Sequence, residues 1–76
     1  MSIKHALEPA ACAVLAAHIA ITDGTTEKWA RRHQIPSRTV RSWLAGTVPR
    51  ADSANHLERL TDGVVRVAYW GERARE

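Results

Sequence analysis

The sequence predicts an all-α domain, a compact bundle of four to five short helices, on three observations. Apolar residues recur three and four positions apart in successive segments, the pattern of one buried helix face. The composition is 45% hydrophobic with no Phe, rich in Ala, Leu and Val, which suits small helices packed closely together. Proline, glycine and cap-competent side chains punctuate the segments at helical lengths. A chain of 76 residues makes one small domain, near the lower limit for folding on a single core.

Helix 1 is expected from about Pro9 to Ala20. Pro9 suits a first helical turn, where its missing donor costs nothing, and the alanine-rich segment after it has high helix propensity. Leu7, Val14, Leu15 and Ile19 form its apolar stripe. "TDGTT", Thr22 to Thr26, is a polar turn in which Gly24 can take positive φ and Thr25 or Thr26 can cap the next helix. Helix 2 follows from about Thr26 to His33, with Glu27 in the first turn and Trp29 and Ala30 facing the core. Pro36 ends that pattern and starts another. Helix 3 runs from Pro36 or Ser37 to Leu44, with Val40, Trp43 and Leu44 inward and Gly46 as its stop. "TVPRADS" is a loop ending in Asp52 or Ser53 as cap, and helix 4 carries Leu57 and Leu60 before Gly63. Val64 to Val67 reads as a strand or a short extended link, and Val67 to Arg75 as a short helix with Gly71 as its weak point.

Charge is concentrated in the middle third. From Lys28 to Arg50 the chain holds Lys28, Arg31, Arg32, Arg38, Arg41 and Arg50 and no acidic residue, a local balance of +6 within a net charge of +3. Such a block is the electrostatic footprint of a nucleic-acid surface, the alternative being a solvated helix face. The helical spacing of Trp29 and Trp43 assigns them to the core rather than to base stacking.

Two short helices joined by a tight turn, the second with basic and polar side chains opposite an apolar stripe, make a helix-turn-helix arrangement. Over about Pro9 to Trp70 the chain resembles the Cro/CI-type phage repressor family, XRE-like proteins, and in particular its small Cro-like members. Ala30 stands where the family has a small residue between the two helices, Ile35 matches its aliphatic turn residue and Val40 its β-branched core residue. "SWLAG", Ser42 to Gly46, is similar to the usual end of the recognition helix, and "VPRADSANHLERLTDGVV" to the fourth helix and exit. One departure is Gln34, where many relatives have Gly. Positive φ there would cost on the order of 1 kcal/mol.

The resemblance implies a lambda-repressor-like fold and a transcriptional regulator, a repressor of bacterial or phage origin that binds double-stranded DNA at a palindromic operator as a homodimer. Carried over by position, it places Ser37, Arg38, Arg41 and Ser42 at base edges, the two arginines being suited to bidentate donation to guanine. It places Thr25, Thr26 and Lys28 on phosphate, with Arg32, Thr47 and Arg50 as further phosphate candidates. "VVRVAYW" offers a dimer contact through Val65, Val67, Tyr69 and Trp70, the alternative being closure of the monomer's own core. A protein-interaction module such as an antitoxin, or an architectural protein binding DNA without sequence preference, remains a rival role on the same fold.

Other classes find less in the sequence. No carboxylate pair at helical spacing stands beside a basic residue in a plausible pocket, and neither a glycine-rich phosphate loop nor an activated-nucleophile signature is present, so no enzyme is expected. Cys12 is a single cysteine in an apolar helix, and His5, His18, His33 and His56 lack zinc-site spacing, so neither disulfide, metal nor cofactor is expected. No small-molecule ligand is expected either. "PAACAVLAAHIAI" is too short for a bilayer span and lacks the basic start of a signal peptide, which predicts a cytoplasmic protein without membrane association.

Overall fold

The computed structural model describes residues 10–71. They form α1 (Ala11–Thr22), α2 (Thr26–Arg32), α3 (Ser37–Leu44), α4 (Ala51–Leu60) and one 3-10 turn (Val67–Trp70). Among the described residues there is no strand, and no helix is long and apolar enough to cross a membrane. The expected helix start at Pro9, the stripe residue Leu7 and the tail beyond Gly71 lie outside the described residues.

Helix α1 is the central element, packing on α2, on α3 and on the 3-10 turn. It buries Ala11, Leu15 and Ile19, four residues apart in succession, so one straight stripe serves all three neighbours. The helix runs on past the expected end at Ala20. Thr22 Oγ1 donates to the His18 carbonyl at 2.9 Å, and the Asp23 and Gly24 amides both donate to the Ile19 carbonyl. That extension leaves Ile21 84% exposed.

Helix α4 packs on the 3-10 turn, which in turn packs on α1, so the C-terminal segment is the strap that holds α4 to the body. Two polar contacts shape the strap. Thr61, buried, donates its hydroxyl to the Leu57 carbonyl at 2.8 Å and accepts the Val65 amide at 3.1 Å. Glu58 accepts the Val67 amide at 2.8 Å, starting the 3-10 turn. Val65 and Trp70 then reach the core alongside Leu15, Trp29, Val40, Ala54 and Leu57. Of the residues expected at a dimer contact, Val65 and Trp70 are buried in the monomer's own core, the alternative role of this segment, and are not free to meet a second copy. Val67 and Tyr69 are half-buried against the same core, and Val64 is exposed.

Helix α4 also starts earlier than expected. It begins at Ala51, directly after Arg50, with no side-chain cap, so neither Asp52 nor Ser53 caps it. Asp52 instead sits in the first turn, where the helix dipole favours a carboxylate, and accepts the Ser53 amide.

Helices α2, α3 and α4 end in one and the same hydrogen-bond pattern, in which the two residues after the cap donate back to the last turn. After α3 the Gly46 amide donates to Trp43 and Thr47 to Ser42, with Gly46 at φ +108°. After α2 the Gln34 amide donates to Arg31 and Ile35 to Ala30; after α4 Asp62 donates to Arg59 and Gly63 to Glu58. The position directly after the cap is thus left-handed at Asp62, φ 52°, with Gly63 after it also at positive φ, 82°, and at Gln34, φ 58°. Asp tolerates this region through its short polar side chain, whereas Gln gains nothing there. Gln34→Gly is therefore expected to stabilise the fold by about 0.5–1 kcal/mol, the relief of strain exceeding the added freedom of the unfolded chain. A lowered urea midpoint in that variant would mean that Gln34 is unstrained.

Candidate nucleic-acid interface

The charged middle of the chain folds as a helix, a four-residue turn and a helix: α2, His33 to Pro36, and α3. Thr25 starts it, its hydroxyl accepting the Lys28 amide at 3.3 Å. Trp29 and Ala30 anchor α2 in the core, and half-buried Ile35 pins the turn. Pro36 precedes α3 with φ -56°, and its carbonyl accepts the Thr39 and Val40 amides.

Helix α3 has two distinct faces. Val40 and Trp43 are buried, and at 3.6 residues per turn the opposite side carries Arg38, flanked by Arg41 and Ser42 and continued by Ala45. Arg38, Arg41 and Ala45 are exposed, while Ser37 and Ser42 are half-buried on the flanks. Locking the inner face fixes where the outer face points, so two arginines one turn apart project from a rigid support. Ala45 keeps the end of that face low, letting a ligand come close to the helix.

Of the residues expected on phosphate, Thr25, Lys28, Arg32, Thr47 and Arg50 are exposed and Thr26 is half-buried. They occupy the start and end of α2, the loop after α3 and the residue before α4. Thr25 uses a lone pair for capping and keeps its hydroxyl proton free to donate. Arg31, also exposed, adds a cation at the end of α2.

Two of the expected contact arginines already have partners. Arg32 forms a bidentate pair with Asp23, Nε to Oδ2 at 3.0 Å and Nη2 to Oδ1 at 2.7 Å, tying the α1–α2 loop to the last turn of α2. Partial burial pushes the Asp23 carboxyl up, but the Arg32 hydrogen bonds and charge outweigh it and hold the carboxyl below the usual range. Arg41 Nη2 pairs with Glu27 Oε2, joining α3 to the first turn of α2. Among the described residues Arg38 makes no ion pair.

Beneath this surface two histidines pack against Trp29. His33 lies against it at a ring distance of 4.5 Å and His18 meets it edge-on at 6.1 Å. Burial holds the His33 imidazole below the usual histidine range, helped by the nearby Arg32 charge and by His18 and His56, and opposed only by Asp23. A histidine that binds its proton less readily when folded adds stability above the ordinary value of about 6.5 and loses it as pH falls through that value. The melting temperature is thus expected to drop as pH is lowered from about 7 to 5, and His33→Gln to flatten that part of the profile. An equally steep profile in the variant would assign the acid sensitivity elsewhere.

Among the described residues no group of three or more His, Cys, Asp or Glu side chains stands where it could hold a metal ion, and Cys12 is half-buried in α1. Asp23 and Glu27 were not expected to be part of this surface. Their only sequence signal is that both lie just before the basic block, and pairing across 9 and 14 positions arises from how the helices pack. No protein-family model, curated protein or solved structure matches the chain, so its functional reading rests on the geometry of these side chains.

Proposed function

We propose that the protein is a sequence-specific, double-stranded DNA-binding regulator with a lambda-repressor-like helix-turn-helix, acting as a Cro-like repressor. Helix α3 is its reading helix. The observation that carries the reading is the outer face of α3, where Arg38 and Arg41 stand exposed on a helix whose inner face is fixed by Val40 and Trp43. An α-helix fits the major groove, and an Arg fork donates two parallel bonds to guanine O6 and N7. Ser37 and Ser42 flank the arginines at base edges. Lys28, Arg50, Thr25, Thr26 and Thr47 hold the phosphodiester chains on either side, with Arg32 joining them through the donors that Asp23 leaves free.

Two copies on a palindrome would present two such helices to successive major-groove faces, half-sites lying about 10 base pairs apart centre to centre. Val67, Tyr69 and exposed Val64 are the apolar side chains left at the C-terminal segment for a second copy. The role requires neither cofactor nor small-molecule ligand, since repression follows from occupying DNA that polymerase needs. Titration of duplex DNA at rising salt tests the electrostatic half of the proposal. A dimer neutralising about six phosphates should show log K falling against log salt with a slope of about -5. Absence of duplex binding even at low salt would contradict it.

A further inference from the structure

We infer that Glu27 is a positioning residue that sets the specificity of DNA reading by holding Arg41; this rests on the DNA-binding reading of α3. The two side chains lie on different helices, Glu27 on the first turn of α2 and Arg41 on the outer face of α3, and their ion pair is built at the surface that faces DNA in that reading. Both are about half exposed, 57% for Arg41 and 51% for Glu27, so the pair stands at the edge of the site and not beneath it.

The contact engages one terminal nitrogen of the guanidinium, Nη2, through one carboxylate oxygen, Oε2. A guanidinium has five donors, two of them on Nη2, so the second Nη2 hydrogen and a neighbouring donor on Nε or Nη1 remain as a fork for a base edge. Holding a long, flexible side chain in one place before DNA arrives removes part of the ordering that a bidentate contact needs. The carboxylate acts on the partner as well. It is the one acidic side chain in the stretch from Thr25 to Arg50, and it repels any phosphate that approaches Arg41. An Arg41 released from Glu27 would find phosphate as readily as guanine. The pair therefore trades non-specific affinity for discrimination at the base pair that Arg41 reads.

Arg38 supplies an internal control. It lies one turn away on the same face, is exposed, and has no carboxylate partner among the described residues. Removing Glu27 should leave its base preference intact.

The test is binding-site selection from random duplexes by the full chain as wild type, Glu27→Gln, Arg41→Ala and the double variant, with affinity for a non-cognate duplex measured across salt. Thermal melts establish that each variant folds. Glu27→Gln is expected to flatten the preference at one base position per half-site on the order of tenfold, the same position that Arg41→Ala flattens. It should also bind the non-cognate duplex more tightly, with a salt slope steeper by about one for each added phosphate contact. In the Arg41→Ala background the Glu27 change should alter no base preference. A Glu27→Gln protein that selects the wild-type site with unchanged discrimination overturns the positioning role while leaving DNA reading standing. A wild type that selects no site overturns the DNA-reading proposal itself, and this inference with it.

Discussion

Replacing Arg38 and Arg41 together by alanine is expected to abolish sequence-specific binding while leaving the fold intact. Each bidentate arginine–guanine contact contributes about 1–3 kcal/mol of discrimination, so the two together carry about 2–6 kcal/mol, most of what separates an operator from other DNA. Neither side chain supports the core, whose α3 residues are Val40 and Trp43. The stability change should stay within about 1 kcal/mol, the upper end for an exposed ion pair such as Arg41–Glu27. Residual binding should be salt-sensitive, because Lys28, Arg50 and the other backbone cations remain. Titration of a selected duplex and of a scrambled one measures the ratio directly. A double variant that still prefers the selected duplex would place base reading on other residues.

The opposite outcome is expected of Trp29→Ala, which should remove a large part or all of the stability of the fold. Trp29 is fully buried, the largest side chain so placed, and meets both His18 and His33. Truncating a core aromatic costs about 3–5 kcal/mol, against a total of roughly 4–11 kcal/mol for a chain of this length. The loss falls on the contact between α2 and the rest of the body, so the support of the reading helix goes with it. Far-ultraviolet circular dichroism and urea unfolding measure the result. A cooperative transition at nearly the wild-type midpoint would show that the core closes without this ring. Comparing the two variants separates binding from folding, since the arginine variant loses sequence-specific binding at nearly unchanged stability and only Trp29→Ala loses stability.

What the sequence disclosed follows from where its signals are local. Helices α2 and α3 lie almost where Thr25, Pro36 and Gly46 put them, because capping, proline geometry and a left-handed glycine act within one turn. The inward positions of Trp29, Ala30, Val40 and Trp43 follow from periodicity alone. The start of α4 was harder to place because the helix begins without a side-chain cap, and attractive cap residues follow one and two positions later. At the C-terminal segment, apolar residues mark burial but not the partner. Val65 and Trp70 bury against their own chain because Thr61 and Glu58 turn it back on itself through hydrogen bonds of the folded state. The pairs Asp23–Arg32 and Glu27–Arg41 exist only after the helices dock. They change the role of two arginines that charge alone would count as free.

The measurement that bears most directly on the proposed function is selection of wild-type protein on a pool of random duplexes at two salt concentrations. Enrichment of a palindromic site, with half-sites about 10 base pairs apart centre to centre and guanines at the positions that the Arg38 and Arg41 variants relax, is the predicted result. Salt-sensitive retention of duplexes with no enriched sequence would contradict base reading by α3 and leave only backbone binding. Failure to retain any duplex would contradict the DNA-binding proposal as a whole and turn attention to an acidic protein partner for the same two arginines.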